Sequence, residues 1–185
     1  MTLELIVRNY NYSSWSMRAG VLLRAFVPDF RERMVHFVGF DATSQFKAEM
    51  REISPTATVP ALCDHARTDS TGRPLVVWDT LAIVEYIAEY CAHSPVWPRD
   101  AIARAQARSL CAEMHSEFGH LRARCPMNIG PDLGQQGAIL WRDHQGLRHD
   151  VARIDAAWCD LWDRYKGPFL CGDFGAIDAY FSPVV

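Results

Sequence analysis

LELIVRNYNYSSWSMRAGVLLRAF, residues 3–26, sets the first decision about the fold. Leu3, Leu5 and Val7 alternate with Glu4, Ile6 and Arg8, the period-two pattern of a short strand with at least one buried face. The polar run Asn9 to Ser14 ends it. From Trp15 onward Ala19, Val21, Leu22, Ala25 and Phe26 recur at helical spacing, Ser13 or Ser14 offers an N-cap, and Pro28 stops the helix. Met34 to Phe40 is rich in β-branched and aromatic residues and reads as a second strand, followed by a short helix over Ser44 to Ile53. These segments make a β-α-β unit.

Further along, Val59 to Cys63 and Leu75 to Trp78 flank a polar turn, Ala66 to Arg73, and predict a hairpin. Leu81, Ile83, Val84, Tyr86, Ile87 and Cys91 then follow a helical period, with Asp79 and Thr80 at its start. The order over residues 1–91 is β-α-β-α-β-β-α, and residues 92–98, with two prolines, read as a linker. Residues 99–185 read as all-helical. Ala103, Ala107, Leu110, Met114, Phe118 and Leu121 mark one face of a helix from Arg99 to Cys125, ~40 Å long. After a looser Gly130–Gly137 segment, Val151, Ile154, Trp158, Leu161, Trp162 and Tyr165 share the face of a last strong helix.

Composition bounds the function. The 185 residues carry 19 Lys and Arg against 22 Asp and Glu, a net charge of −3, which is no nucleic-acid signature. Ile53 to Cys63 is the longest uncharged stretch, well short of the ~18 apolar residues of a membrane helix. An acid at Glu4 and Arg8 breaking the apolar run argue against a signal peptide, so a cytoplasmic location is expected. The cysteines at 63, 91, 111, 125, 159 and 171 never come closer than 12 residues, which excludes a CxxC metal or redox site, and they read as buried thiols.

Four places have chemistry available. At Tyr12-Ser13-Ser14-Trp15-Ser16-Met17-Arg18 a strand hands over to a helix, where outward backbone N–H groups and the dipole favour an anion such as a thiolate, or where the serines only cap. At Thr58-Val59-Pro60 a cis bond would turn the Val59 backbone outward toward an extended peptide; otherwise this is an edge-strand proline. Asp79-Thr80 either binds the charged ends of an amino acid or caps its helix. His115 and Arg122, seven residues apart, either border a second substrate or bridge helices.

Together these residues resemble the cytosolic glutathione S-transferase superfamily. The resemblance rests on Ser-Ser-Trp-Ser-Met-Arg after the first strand, on Ser-Pro-Thr-Ala-Thr-Val-Pro-Ala-Leu before the hairpin, on Trp-Asp-Thr-Leu-Ala-Ile-Val-Glu-Tyr-Ile at the third helix, and on Phe174 to Ala179. It implies an α/β thioredoxin-like N-terminal domain that binds glutathione, followed by a helical domain that contributes the electrophile pocket. Ser13 to Arg18 looks most like the serine-type enzymes, including the zeta-like bacterial ones, in which a serine five residues before an arginine contacts the glutathione sulfur. That position is Ser13, with Ser14 in reserve. By the same matching Trp15 flanks the sulfur, the Val59 backbone between Thr58 and Pro60 pairs with the cysteinyl unit, and Asp79 and Thr80 hold the γ-glutamyl end. Tyr12, His115 and Arg122 are the candidates for a small hydrophobic electrophile.

The resemblance further implies glutathione as co-substrate without a metal, a homodimer, and no nucleic-acid or membrane partner. Conjugation, isomerisation or dehalogenation is the expected chemistry. A non-catalytic binding or scaffold protein with the same fold is the alternative. The sequence departs from the pattern in several places. Ala57 and Thr58 stand where a basic residue or glutamine is common, leaving Lys47 or Arg51 to replace that anchor, and Asp79-Thr80 replaces Glu-Ser. Gly175 replaces a capping Ser or Thr, at a cost of only a few tenths of a kcal/mol. The helical domain is also expected to be short at Pro183-Val184-Val185, where relatives continue.

Overall fold

A computed structural model describes residues 2–36 and 44–185. They divide into two compact units, Met1–Val96 and Trp97–Val185. In the first, β1 (Leu3–Val7), α1 (Ser14–Phe26), β2 (Arg31–Met34), α2 (Gln45–Arg51), β3 (Ala61–Thr68), β4 (Pro74–Trp78) and α3 (Thr80–Tyr90) follow in order. The four strands form one thioredoxin-like mixed sheet, ordered β2-β1-β3-β4, in which β1 is parallel to β2 and antiparallel to β3. The expected order of elements holds.

β1 is buried along its whole length because both of its faces are covered. α1 packs on β1 and α3 on β3 and β4, the two helices contacting each other. On the other face, Ile6 joins Val35, Phe46, Met50, Ala57, Ala61 and Cys63 in a second apolar cluster that brings in α2. Each Leu, Ile, Val, Phe or Met among them contributes roughly 1.5–3 kcal/mol by leaving water, which explains why the alternation at residues 3–8 gives one strand rather than a half-wet one.

The second strand differs from the expectation. It runs over Arg31–Met34, not Met34–Phe40, and of that apolar run only Met34–His36 lies among the described residues. β2 is an edge strand, so its register is set by backbone pairing with β1, Glu4 opposite Arg31 through Val7 opposite Met34. Its charged side chains are used at that edge: Arg31 pairs with Glu4, Glu32 with Arg24 and Arg33 with Glu49. The hairpin strand β3 also continues to Thr68, and the turn is Asp69–Arg73. There Asp69 Oδ1 accepts from the backbone of Thr71 and Arg73, and Gly72 takes φ +80°.

The second unit contains α4 (Ala101–Ser116), α5 (Gly119–Arg124), α6 (Gly134–Asp143), α7 (Gln145–Tyr165), α8 (Ala176–Phe181) and a 3₁₀ turn at Ser182–Val184. The single helix expected over Arg99–Cys125 is therefore two. Phe118 breaks it by adopting a left-handed conformation (φ 58°, ψ 42°), which buries its ring to 6% exposure. That backbone costs ~1–2 kcal/mol and ring burial gains ~1.5–3. The broken ends are capped from elsewhere: Arg122 donates to the carbonyls of His115 and Ser116, and Asp150 on α7 accepts the Leu121 N–H at 3.0 Å.

The buried stripe of α7 is Leu147, Asp150, Ile154, Ala157 and Leu161, rotated from the expected face, so that Trp162 is 50% exposed. α8 has glycine at its N-cap, and Asp178 takes over that role, its carboxylate accepting from Leu170 N at 3.0 Å and Gly175 N at 2.9 Å. Burial pushes the Asp178 carboxyl up against the pull of those two donors. The cysteines also differ from the expectation. Cys63 and Cys111 are buried, Cys91 and Cys171 partly so, while Cys125 and Cys159 are exposed, and none forms a disulfide. Burial together with the Asp178 charge raises Cys171 to about 11.

Candidate active site

The register of the sheet brings three of the candidate motifs together. Ile6 is opposite Ala61 and Ala61 opposite Trp78, so the end of β1, the start of β3 and the end of β4 lie at one edge of the sheet. The Asn9–Ser13 loop leaves the first, Val59-Pro60 enters the second and Asp79-Thr80 leaves the third. Segments nearly seventy positions apart in sequence thus join the sheet at the same end of its strands.

Ser13 is the N-cap of α1. Its carbonyl accepts the Met17 N–H at 2.9 Å, and its Oγ lies 3.4 Å from Ser16 N, a long capping bond. The loop before it is fastened by Asn9, whose carbonyl accepts from Tyr12 N and Ser13 N and whose Oδ1 accepts from Asn11 N. Ser14 and Trp15 occupy the first two helical positions, where backbone N–H groups point out along the axis. Arg18 is buried at 3% exposure, and its guanidinium lies 4.5 Å from the Trp15 ring centroid. Tyr12 is 58% exposed on the loop.

From this loop Tyr10 joins a cluster that sequence reading missed. Tyr10 donates to Glu32 Oε2 at 2.6 Å, Arg24 donates to the same oxygen at 2.6 Å, and the Arg24 guanidinium lies over the Tyr10 ring. Burial, with the Glu32 carboxylate beside it, pushes the Tyr10 phenol up to about 12, so it stays a donor. Gly20 makes room for it, since a Cβ there would meet Tyr10 Oη at 2.5 Å. Nothing in the local pattern marks Tyr10, because its partners come from β2 and α1.

At the second motif, the Val59–Pro60 peptide bond is cis. Ala57 before it is left-handed at φ 49°, and its carbonyl accepts from Lys47 Nζ at 2.8 Å. Lys47 therefore braces this loop. The Ser54, Thr56 and Thr58 hydroxyls form a chain with spacings of 3.1 and 2.8 Å. At the third motif, Asp79 adopts φ 74°, ψ 136°, a sparsely populated conformation for a non-glycine residue that costs ~1–3 kcal/mol. Its Oδ1 caps α3 through the Leu81 N–H at 2.8 Å, and Thr80 is buried. Capping, worth ~1 kcal/mol, offsets only part of that strain.

His115 and Arg122 belong to the second unit. His115 Nδ1 lies 2.8 Å from the buried Tyr180 hydroxyl, joining α4 to α8, and Arg122 caps α4 as described. Among the described residues no group of three or more His, Cys, Asp or Glu side chains is arranged to hold a metal ion, and no helix is long and apolar enough to cross a membrane.

A thioredoxin-like mixed sheet in a chain that continues as a helical unit is similar in fold to solved glutathione transferases. Residues 12–90 match the family described as glutathione S-transferase, N-terminal domain. A probable maleylacetoacetate isomerase from Caenorhabditis elegans is 30% identical over 105 residues, 57% of this chain and 44% of that protein. A stringent starvation protein A homolog from Pasteurella multocida (strain Pm70) is 23% identical over 137 residues, 74% of this chain and 55% of that protein. The chain thus spans about half the length of these curated relatives. A glutathione transferase homolog from Burkholderia gl BGR1, solved with bound glutathione, shares the fold with a TM-score of 0.63 at 24% identity, covering 100% of this chain and 80% of that one.

Proposed function

We propose that the protein is a serine-type glutathione transferase, in which Ser13 stabilises the glutathione thiolate for attack on a small apolar electrophile. The observation that carries this reading is the placement of Ser13 at the N-cap of α1, on the sheet edge shared by Val59-Pro60 and Asp79-Thr80. A free thiol has a pKa near ~8.5, and lowering it by two units requires ~2.7 kcal/mol. One hydrogen bond to a charged group contributes ~1.5–3 kcal/mol and a helix N-terminus ~0.3–1, so these two features are sufficient.

On this reading residues 1–91 form the glutathione domain, with Ser14 and Trp15 beside the sulfur, the Val59 backbone between Thr58 and Pro60 pairing with the cysteinyl unit, and Asp79 and Thr80 on the γ-glutamyl end. Residues 99–185 supply the electrophile side, and Tyr12, His115 and Arg122 belong to the same proposal, as do a homodimer and a cytoplasmic location. In conjugation the thiol proton passes to solvent, the sulfur lone pair forms the new C–S bond, and the leaving group departs with its electron pair. In isomerisation the thiolate adds to a conjugated double bond, the resulting single bond rotates, and expulsion of the same thiolate restores the alkene. The printed name of the Caenorhabditis elegans relative makes the second route worth assaying.

The test is glutathione binding by calorimetry together with turnover of an activated aryl halide and of a cis-alkene diacid. Ser13→Ala is expected to lower kcat/KM at pH 7 by ~10- to 100-fold, the equivalent of one hydrogen bond to a charged group. If Ser13→Ala and Ser14→Ala both turned over like the unmodified protein, the serine assignment would be wrong. No binding at millimolar glutathione would instead point to the non-catalytic scaffold.

A further inference from the structure

Ser16 carries no role in the reading above, yet it is the only serine of its motif that is fully buried, at 0% exposure. Its Oγ receives two donors. The Ser13 hydroxyl donates to it at 2.8 Å, and the Arg8 N–H, at the end of β1, donates to it at 3.1 Å. A hydroxyl oxygen has two lone pairs and one proton. With both lone pairs engaged, the Ser16 proton points away from Ser13. The Ser13 rotamer is thereby locked to the sheet through a buried neighbour rather than set by the solvent.

We propose that Ser16 is a positioning residue that completes a two-hydroxyl relay when a thiolate binds; this rests on the assignment of Ser13 to the glutathione sulfur. In the unliganded arrangement the Ser13 proton is held by Ser16. When it turns to the incoming sulfur, a lone pair on Ser16 is released and the Ser16 O–H swings onto Ser13 Oγ. The order of donors becomes Arg8 N–H to Ser16, Ser16 O–H to Ser13, and Ser13 O–H to the thiolate. No proton leaves its oxygen and no bond other than hydrogen bonds is exchanged. A donor that is itself accepting a hydrogen bond is polarised, strengthening each bond in such a chain by ~10–30%. The helical i, i+3 spacing of Ser13 and Ser16 supplies the geometry, and burial of Ser16 keeps water from competing for its hydroxyl.

The experiment titrates the ultraviolet thiolate absorbance of bound glutathione against pH in the unmodified protein, Ser13→Ala, Ser16→Ala and the double variant, with circular dichroism showing that each is folded. Ser16→Ala is expected to raise the apparent thiol pKa by roughly half a unit, and to add nothing once Ser13 is alanine. Ser16→Thr, which keeps the hydroxyl, is expected to restore most of the shift, and Ser16→Cys, a weaker donor, replaces Ser16→Ala in the comparison if the alanine protein does not fold. The relay is overturned if folded Ser16→Ala or Ser16→Cys leaves the pKa within about 0.2 unit of the unmodified value, or if the shift is equal with and without Ser13. If Ser13→Ala alone leaves the pKa unmoved, or the unmodified protein binds no glutathione, it is the underlying thiolate assignment that fails, and the relay with it.

Discussion

Gly20 is in the second turn of α1, and replacing it with alanine should have opposite effects on stability in two backgrounds. In an exposed helix interior, Gly→Ala stabilises by about 0.8–1 kcal/mol. Here the added Cβ would meet Tyr10 Oη at 2.5 Å, Tyr10 Cε1 at 2.9 Å and Arg24 Nη1 at 2.8 Å. Arg24 is long and half-exposed and can move away. Tyr10 cannot move without leaving Glu32, to which it donates at 2.6 Å, and losing a hydrogen bond to a charged acceptor costs ~1.5–3 kcal/mol. The helix gain offsets part of this, leaving Gly20→Ala destabilised by about 0.5–2 kcal/mol. In a Tyr10→Ala background the obstruction is gone, and the same substitution should stabilise by up to ~1 kcal/mol. The assay is urea denaturation followed by circular dichroism on all four proteins of the cycle. If Gly20→Ala stabilised the protein with Tyr10 intact, or destabilised it equally in both backgrounds, the claim that Tyr10 is held in place between α1 and β2 would be refuted. Because Tyr10 lies just before the turn that presents Ser13, turnover should fall with stability in the first case.

Other outcomes follow from the same geometry. Asp79→Gly relieves the strained backbone at φ 74° and, since glycine is a fair N-cap, should leave stability within ~1 kcal/mol of the unmodified protein, while the proposed role of Asp79 at the γ-glutamyl end predicts at least about tenfold weaker glutathione binding by calorimetry. Tyr10 and Tyr86 are both raised to about 12 by burial and a carboxylate partner, so the stabilisation they bring is complete below pH 10 and is lost as pH rises toward 12. Denaturation midpoints should fall across that window, and less steeply in Tyr10→Phe or Tyr86→Phe. Asp178→Ala orphans the N–H groups of Leu170 and Gly175 and should destabilise the second unit by ~2–4 kcal/mol, whereas Ser182→Ala, which loses one bond to a helix carbonyl, should cost under about 1 in thermal unfolding.

Local chemistry was enough to read much of this protein from its sequence. The alternation of residues 3–8, the serines ahead of α1, the Asp79 cap and the apolar period of α3 each depend on neighbours within a turn or two, and each appears in the fold where the sequence placed it. The order of elements follows from such signals. Where the sequence reading erred, a distant partner decided the outcome. β2 is charged and short because β1 dictates its register, not because its own pattern is strand-like. The helix from residue 101 breaks at Phe118 because that ring is buried and because Asp150 and Arg122 cap the ends, none of which is visible in an uninterrupted apolar period. For the candidate site the division is sharper. Sequence alone determined which residue types were available at 13, 59 and 79, since capping and turn chemistry are local. Only the antiparallel register of β3 with its two neighbours set those positions on one edge of the sheet, and only the packing of α1 against β1 buried Ser16 beneath Ser13, because hydrogen-bond partners far apart in the chain are chosen by the fold as a whole.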